Sequence, residues 1–259
     1  MLTDPWFYAV AIPAVIITGL SKSGFVSGIG LMATPLLALV VSPVQAAGIM
    51  LPILVASDVI GVWAYRRSFD WANLMALLPG AVVGVLIGWL TASKVSDAHV
   101  RLLVGLIALA FTIDYWLRPK KPDAGQPAVW TRGGTRAVAG TIAGLFAGFT
   151  SFVSHAGGPP VQMFLLPQRL SSTLYAGTTV MFFGAINLIK VPPYLALGQF
   201  HAANLRTSLV LLPVAAVSTL TGIWIVNRVS AEPFYRLAYA ALFVVALKLT
   251  WDGASAIWH

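Results

Sequence analysis

The chain has 259 residues, of which 58% are hydrophobic and only 9% charged, with a formal net charge of +8. A soluble domain carries ~25% charged residues, most of them on its surface, so an ordinary soluble globule is excluded. A disordered chain, which needs low hydrophobicity and high charge, is excluded as well, and a mean hydropathy of +0.85 leaves a polytopic membrane protein.

A membrane-spanning helix needs ~20 apolar residues. The first apolar region, 5–41, is interrupted by Ser21-Lys22-Ser23-Gly24 and by Ser27-Gly28-Ile29-Gly30. Gly and Pro weaken helix continuity, so this region is read as two pieces, 5–21 and 29–41. The start of the chain has no basic segment and carries Asp4, so a cleaved signal peptide is not expected. Uninterrupted helices are predicted over 43–65, 71–93 and 98–117. From Arg118 to Arg136 the chain turns polar, with Lys120, Lys121, Asp123, Pro127 and Gly133-Gly134, and reads as a linker. A second broken region, 134–168, is interrupted by Ser151, Ser154-His155 and Gly157-Gly158-Pro159-Pro160, and is read as pieces over 134–152 and 159–168. Helices over 171–194, 203–226 and 233–252 complete the chain.

The two sides of the linker look alike, which divides the chain into an N-terminal membrane repeat (1–117), a basic cytoplasmic linker (118–135) and a C-terminal membrane repeat (136–259). Ala47-Gly48 matches Ala176-Gly177, and the same offset pairs Asp58 with Asn187, Ile60 with Ile189 and Tyr65 with Tyr194. Slightly shifted, Leu77-Leu78-Pro79 matches Leu211-Leu212-Pro213 and Gly88 matches Gly222. The expected fold is therefore all-α, with two homologous repeats of four to five helical segments each and broken helices near the centre. Five crossings per half put Arg66, Arg67, the linker, Arg169 and Arg228 on one side and leave Lys94 as the only Lys or Arg in the opposite loops. That bias makes the linker side cytoplasmic, and an odd number of crossings makes the repeats inverted. Four crossings per half would make them parallel and divide the charges less cleanly.

Inverted repeats with interrupted helices are a secondary-transporter layout, in which half-helix ends meet and bind substrate. A break exposes unpaired N–H groups and the positive end of a helix dipole. In lipid it survives only buried or lining a cavity. The substrate-binding candidates are therefore Ser21, Lys22, Ser23, Ser27, Gly28 and Gly30 at the first break, and Ser154, His155, Gly157 and Gly158 at the second. Lys22 is read either as a cation for an anionic substrate or as a side chain snorkelling to the interface. His155 is an anion donor, a proton carrier or a loop histidine. The glycines permit close backbone approach or pack helices, and Pro159 and Pro160 suit the first turn of a restarting helix. Asp58 lies within an apolar helix and is a candidate for proton coupling, or with Asn187 for a polar core. Lys190 is expected to snorkel first and attract substrate second. Asp114 and the Lys248/Asp252 pair are read as structural, and Trp6, Trp71 and Trp116 as interface anchors.

Other chemistry finds little support. With no cysteine there is no disulfide framework, thiolate metal site or Cys nucleophile. H-E-x-x-H, P-loop and Rossmann patterns are absent. Ser27 with His155 or His201 lacks a G-x-S-x-G elbow, which leaves a hydrolase as the remotest reading, behind an anion channel. Neither a cofactor nor a metal is expected, and basic residues are not interleaved with aromatics, so nucleic acid is not a partner. The partners are a small anion and the lipid bilayer, and a homodimer is left open.

Gly28-Ile29-Gly30 followed by Pro35-Leu36-Leu37, then Ala47-Gly48, with Gly157-Gly158-Pro159-Pro160 and Ala176-Gly177 repeating the pattern, resembles the TauE/SafE family, the sulfite exporter or TSUP group. The resemblance covers nearly the whole chain, although the glycine run common in the family is reduced here to Gly28 and Gly30. It implies bacterial inner-membrane transport, often export, of sulfite, a sulfonate or a related organosulfur anion by a non-enzymatic carrier.

Overall fold

The computed structural model describes residues 5–24, 30, 33–37, 40–41, 43–91, 96–117, 133–154, 157–196 and 202–258. Among the described residues ten α-helices run in order: α1 (Pro5–Lys22), α2 (Ala33–Leu37), α3 (Pro43–Tyr65), α4 (Trp71–Thr91), α5 (Asp97–Leu117), α6 (Gly133–Ser154), α7 (Gly158–Leu165), α8 (Ser172–Ala196), α9 (Ala202–Val226) and α10 (Ala231–Trp258). A short 3-10 turn, Leu166–Gln168, follows α7. By length and composition α1, α3, α4, α6, α8, α9 and α10 are each able to cross a membrane. The described apolar stretch of α5 is shorter, Arg101–Ile113. The protein is an all-α polytopic membrane protein, and no strand occurs among the described residues.

Several predicted boundaries shift. The second piece of the first broken region is only Ala33–Leu37, not 29–41. Val40 and Val41 both donate to the Leu37 carbonyl and close its end. At five residues it rises ~8 Å, and α7 at eight rises ~12 Å, against the ~30 Å hydrocarbon core. Neither short helix spans alone. Helix α6 starts at Gly133, one residue before the predicted 134. The last helix runs to Trp258, beyond 252, because Lys248 Nζ holds Asp252 at 2.7 Å one turn on and Gly253 packs against Leu102 and Ala98 of α5.

Small residues fix the helix pairings. On α4, Gly80 and Gly84 abut the backbone of Thr141 and Leu145 of α6, while Gly144 and Gly148 abut that of Leu77 and Ala81. Contact numbers rise together, so the two helices run parallel with their backbones touching, the small-residue packing that lipid-embedded helices use. The α1–α9 pair repeats this, with Gly19 on Ser218 and Ser23 on Gly222. The α3–α8 pair is antiparallel: Asp58 meets Asn187, Val62 meets Gly184 and Tyr65 meets Gly177. So is α5–α10, where Gly105 meets Thr250 and Leu102 meets Gly253. Exchanging α1 with α6 and α4 with α9 turns one parallel pair into the other.

Beyond α6 the chain doubles back. Gly157 lies against Ala147 and Ser151 of α6, and Phe164 of α7 lies against Gly140. Gln168 then accepts a hydrogen bond from Asn73 near the start of α4 at 2.8 Å. Arg169 takes a left-handed conformation, φ 54°, and turns the chain into α8.

Candidate functional site

The site forms where α1 stops. Lys22 is the last residue of α1, and Gly24 follows at φ +79°, a conformation glycine adopts at little cost. A Cβ on Gly24 would also strike Ala176 of α8. Ser23 caps the end by donating its hydroxyl to the Leu20 carbonyl at 2.6 Å, and its own carbonyl accepts the buried Tyr65 hydroxyl at 3.0 Å. These contacts fix the terminus of α1 beside α3 and bring Lys22 within reach of Asp58.

Lys22 Nζ meets Asp58 Oδ1 at 2.7 Å, with side-chain exposures of 14% and 8%. Asn187 Nδ2 donates to the other carboxylate oxygen at 2.6 Å. One turn further along α8, Lys190 is 2% exposed, and its ammonium donates to both the Ser151 carbonyl and hydroxyl of α6 at 2.8 Å. The Phe183 ring lies 5.8 Å from Lys22 Nζ. A Cβ on Gly157 would sit 3.2 Å from that ring and 2.8 Å from Ser151 Cβ, so Phe183 and Ser151 bridge Lys22 to the second break. Lys190 lies one turn along α8 from Asn187, whose amide holds Asp58. Four helices, α1, α3, α6 and α8, thus contribute to one buried polar cluster with two ammonium groups and one carboxylate.

The cluster sits well inside the bundle. From Asp58 to the end of α3 at Tyr65 the helix rises ~10 Å, and from Lys190 to the end of α8 at Ala196 ~9 Å. Because α3 and α8 are antiparallel, those ends lie on opposite sides. The snorkelling readings of Lys22 and Lys190 are therefore corrected: both ammonium groups turn inward to oxygen partners. Lys190 reaches across to α6 because Ser151 offers it two acceptors in place of water.

Of the residues expected at the breaks, the structure brings several together. Gly30 lies beside Ser21, where a Cβ would stand 2.8 Å from the hydroxyl. Gly157 and Gly158 are buried at the start of α7. Pro159 and Pro160 occupy its first turn and remove two amide donors, which leaves those of Gly157 and Gly158. Ser23 is buried with its hydroxyl on α1's own backbone and packs on Gly222. Ser154 ends α6. Ser27, Gly28 and His155, like His201, lie outside the described residues. Sequence reasoning left Ser151, Phe183 and Lys190 out of the site. The available signal was Lys190 itself, a charge three residues after Asn187 and so on its helix face.

The described residues contain no group of His, Cys, Asp and Glu able to hold a metal ion. What the cluster offers is hydrogen-bond donors and positive charge. No curated protein and no solved structure matches the chain. A family model described as "Sulfite exporter TauE/SafE" matches residues 11–249, nearly its whole length. The chain belongs to the TauE/SafE sulfite exporter family and is a multi-pass membrane protein of that transporter family.

Proposed function

We propose that the protein is a secondary carrier that exports a small oxyanion, sulfite or a sulfonate, across the bacterial inner membrane by alternating access. The observation that carries this reading is the charge of the buried cluster: Lys22 pairs with its one carboxylate, Asp58, while Lys190 is held only by the neutral oxygens of Ser151. An uncompensated cation inside a membrane protein is costly and usually functional. At an effective dielectric of 20, two unit charges 4 Å apart interact by ~4 kcal/mol, against ~1 kcal/mol in water. An anion entering between the lysines meets two ammonium donors, and the amides of Gly157 and Gly158 at the α7 terminus add donors of the right sign.

The helix pairings support halves related as inverted repeats. Asp58 and Asn187 lie at their meeting point, and the linker is on the cytoplasmic side with Arg66, Arg67 and Arg228. On this reading α1–α9 and α4–α6 are equivalent parallel pairs whose relative tilt opens the cluster to one side at a time. Purified protein in liposomes should show saturable counterflow of labelled sulfite or of one member of a sulfonate panel. Absence of saturable exchange for every compound, with folded protein confirmed in the liposomes, would overturn the carrier reading. Conductance in place of saturable exchange would make the same site a channel.

A further inference from the structure

The two lysines occupy different positions of the two halves. Asp58 and Asn187 are 129 residues apart, and at that offset Lys22 falls on Ser151 and Gly61 falls on Lys190. Each half brings one ammonium to the same helix contact from opposite partners. In the first half the lysine comes from α1 and reaches α3. In the second it comes from α8 and reaches α6. Gly61 stands where a Cβ would lie 3.5 Å from the Lys22 carbonyl, so the first half has a glycine where the second has its lysine. The acceptors differ as well, a carboxylate for Lys22 and the carbonyl and hydroxyl of Ser151 for Lys190.

We propose that Asp58 is the proton-exchanging counterion of a two-lysine oxyanion site: a monovalent oxyanion displaces the carboxylate from Lys22 as a proton from water enters on Asp58 Oδ1. This deepens the carrier reading and rests on it. Both carboxylate oxygens hold donors, Lys22 on one and Asn187 on the other. An anion that takes Lys22 Nζ leaves Oδ1 without its donor and places a second negative charge beside the first. Adjacent anions do not both stay ionised at low cost. A proton on Oδ1 removes the repulsion, while Oδ2 keeps its bond from Asn187. One anion and one proton add no net charge, so the loaded and empty clusters carry the same charge through the bilayer interior.

The groups that face Asp58 are few. Helices α1, α2, α8 and α9 pack against α3. Of these, α1 contributes Lys22, α8 contributes Asn187 and Lys190, and α2 has no titratable residue; α9 has none between Arg206 and Arg228. Lys190 is therefore the one alternative proton acceptor in the described cluster, and the test separates the two.

The probe is methanesulfonate, which stays ionised across the working pH range and takes up no proton itself. Calorimetric titration of the purified protein in two buffers of different ionisation enthalpy counts the protons taken up per anion bound. Wild type should take up one, and its affinity should fall about tenfold per pH unit as pH rises. Asp58→Asn should bind without proton uptake and without that slope, while Lys190→Gln should bind more weakly but keep the uptake. Binding by wild type without proton uptake overturns the proposal, a measurement that stands whether or not the variants fold. Uptake that persists in Asp58→Asn, or disappears in Lys190→Gln, also overturns it. If wild type binds no oxyanion of the panel, the carrier reading beneath it fails instead.

Discussion

Asp58 and Asn187, 129 residues apart in the chain, meet across the α3–α8 crossing with Nδ2 2.6 Å from Oδ2. One carboxylate therefore joins three helices, because its other oxygen holds Lys22 of α1. Burial gives this arrangement its leverage. Taking one partner from a buried ion pair costs ~3–5 kcal/mol, because the remaining charge is left uncompensated. Lys22→Met and Asp58→Asn should each lower the thermal midpoint in detergent, and the double variant should recover part of the loss. Additive losses would show that the pair does not couple α1 to α3 energetically. Saturating anion should restore Asp58→Asn more than wild type, since it supplies the charge that the substitution removes.

Lys190 is predicted to be the stronger determinant of anion affinity. Its partners are the neutral oxygens of Ser151, so turning it toward an anion breaks no ion pair. A hydrogen bond to a charged group contributes ~1.5–3 kcal/mol, so Lys190→Gln should weaken anion binding ~10–100-fold. Ser151→Ala should have a smaller effect, because the backbone carbonyl remains as an acceptor. An unchanged dissociation constant for folded Lys190→Gln would remove Lys190 from the site.

The long helices were legible because apolar runs of membrane-spanning length have few alternatives in lipid. The prediction of 43–65 coincides with Pro43–Tyr65, and 71–93 agrees with Trp71–Thr91 over the described residues. The breaks were legible because Gly157-Gly158-Pro159-Pro160 and Ser21-Lys22-Ser23-Gly24 interrupt those runs. The length of α2 was not, since Ala33–Leu37 is delimited by the turn at Leu37 rather than by its apolar composition. Asp58 stood out as a charge within an apolar helix. Its bond to Asn187 was hidden, because an offset between repeats says that two positions are equivalent, not that they touch. Lys190 was misread for a related reason: snorkelling is the sensible course for a lysine near a helix end, unless a neighbouring helix offers acceptors, and that depends on packing.

The α4–α6 contact makes a contrasting stability prediction. A Cβ at Gly80, Gly84, Gly144 or Gly148 collides with a backbone oxygen of the partner helix, which cannot move aside as a side-chain tip can. Gly144→Val should force the helices apart and lower the thermal midpoint by the equivalent of ~1–3 kcal/mol or more. Gly134, in the first turn of the same helix, has nothing within 4 Å of its Cβ position. There Gly134→Ala should be neutral or stabilising by up to ~1 kcal/mol, as glycine is the poorer helix former. Equal effects of the two substitutions would mean that the stripe is not a packing surface.

The absence of cysteine makes the arrangement of the ends directly testable, since any cysteine introduced is the only thiol in the chain. Arg66 stacks on Trp63 at 4.5 Å just beyond the end of α3, and Arg228 on Trp224 at 4.3 Å at the end of α9. An aromatic ring at the headgroup level with a cation over it is a natural interfacial pair. Ser68→Cys and Asn227→Cys should therefore react with a membrane-impermeant maleimide only when it reaches the cytoplasmic face. Ser96→Cys, just before α5, should react only from the opposite face. The argument runs through the helix directions: α3 and α9 run parallel, with Ser208 Oγ donating to the Ile49 carbonyl at 2.7 Å, so their C-terminal ends emerge together. From there α4 returns to the side where α5 begins. Labelling of Ser68→Cys and Asn227→Cys from opposite faces would contradict the shared direction of α3 and α9, and with it the inverted relation of the halves on which alternating access around Asp58 and Lys190 depends.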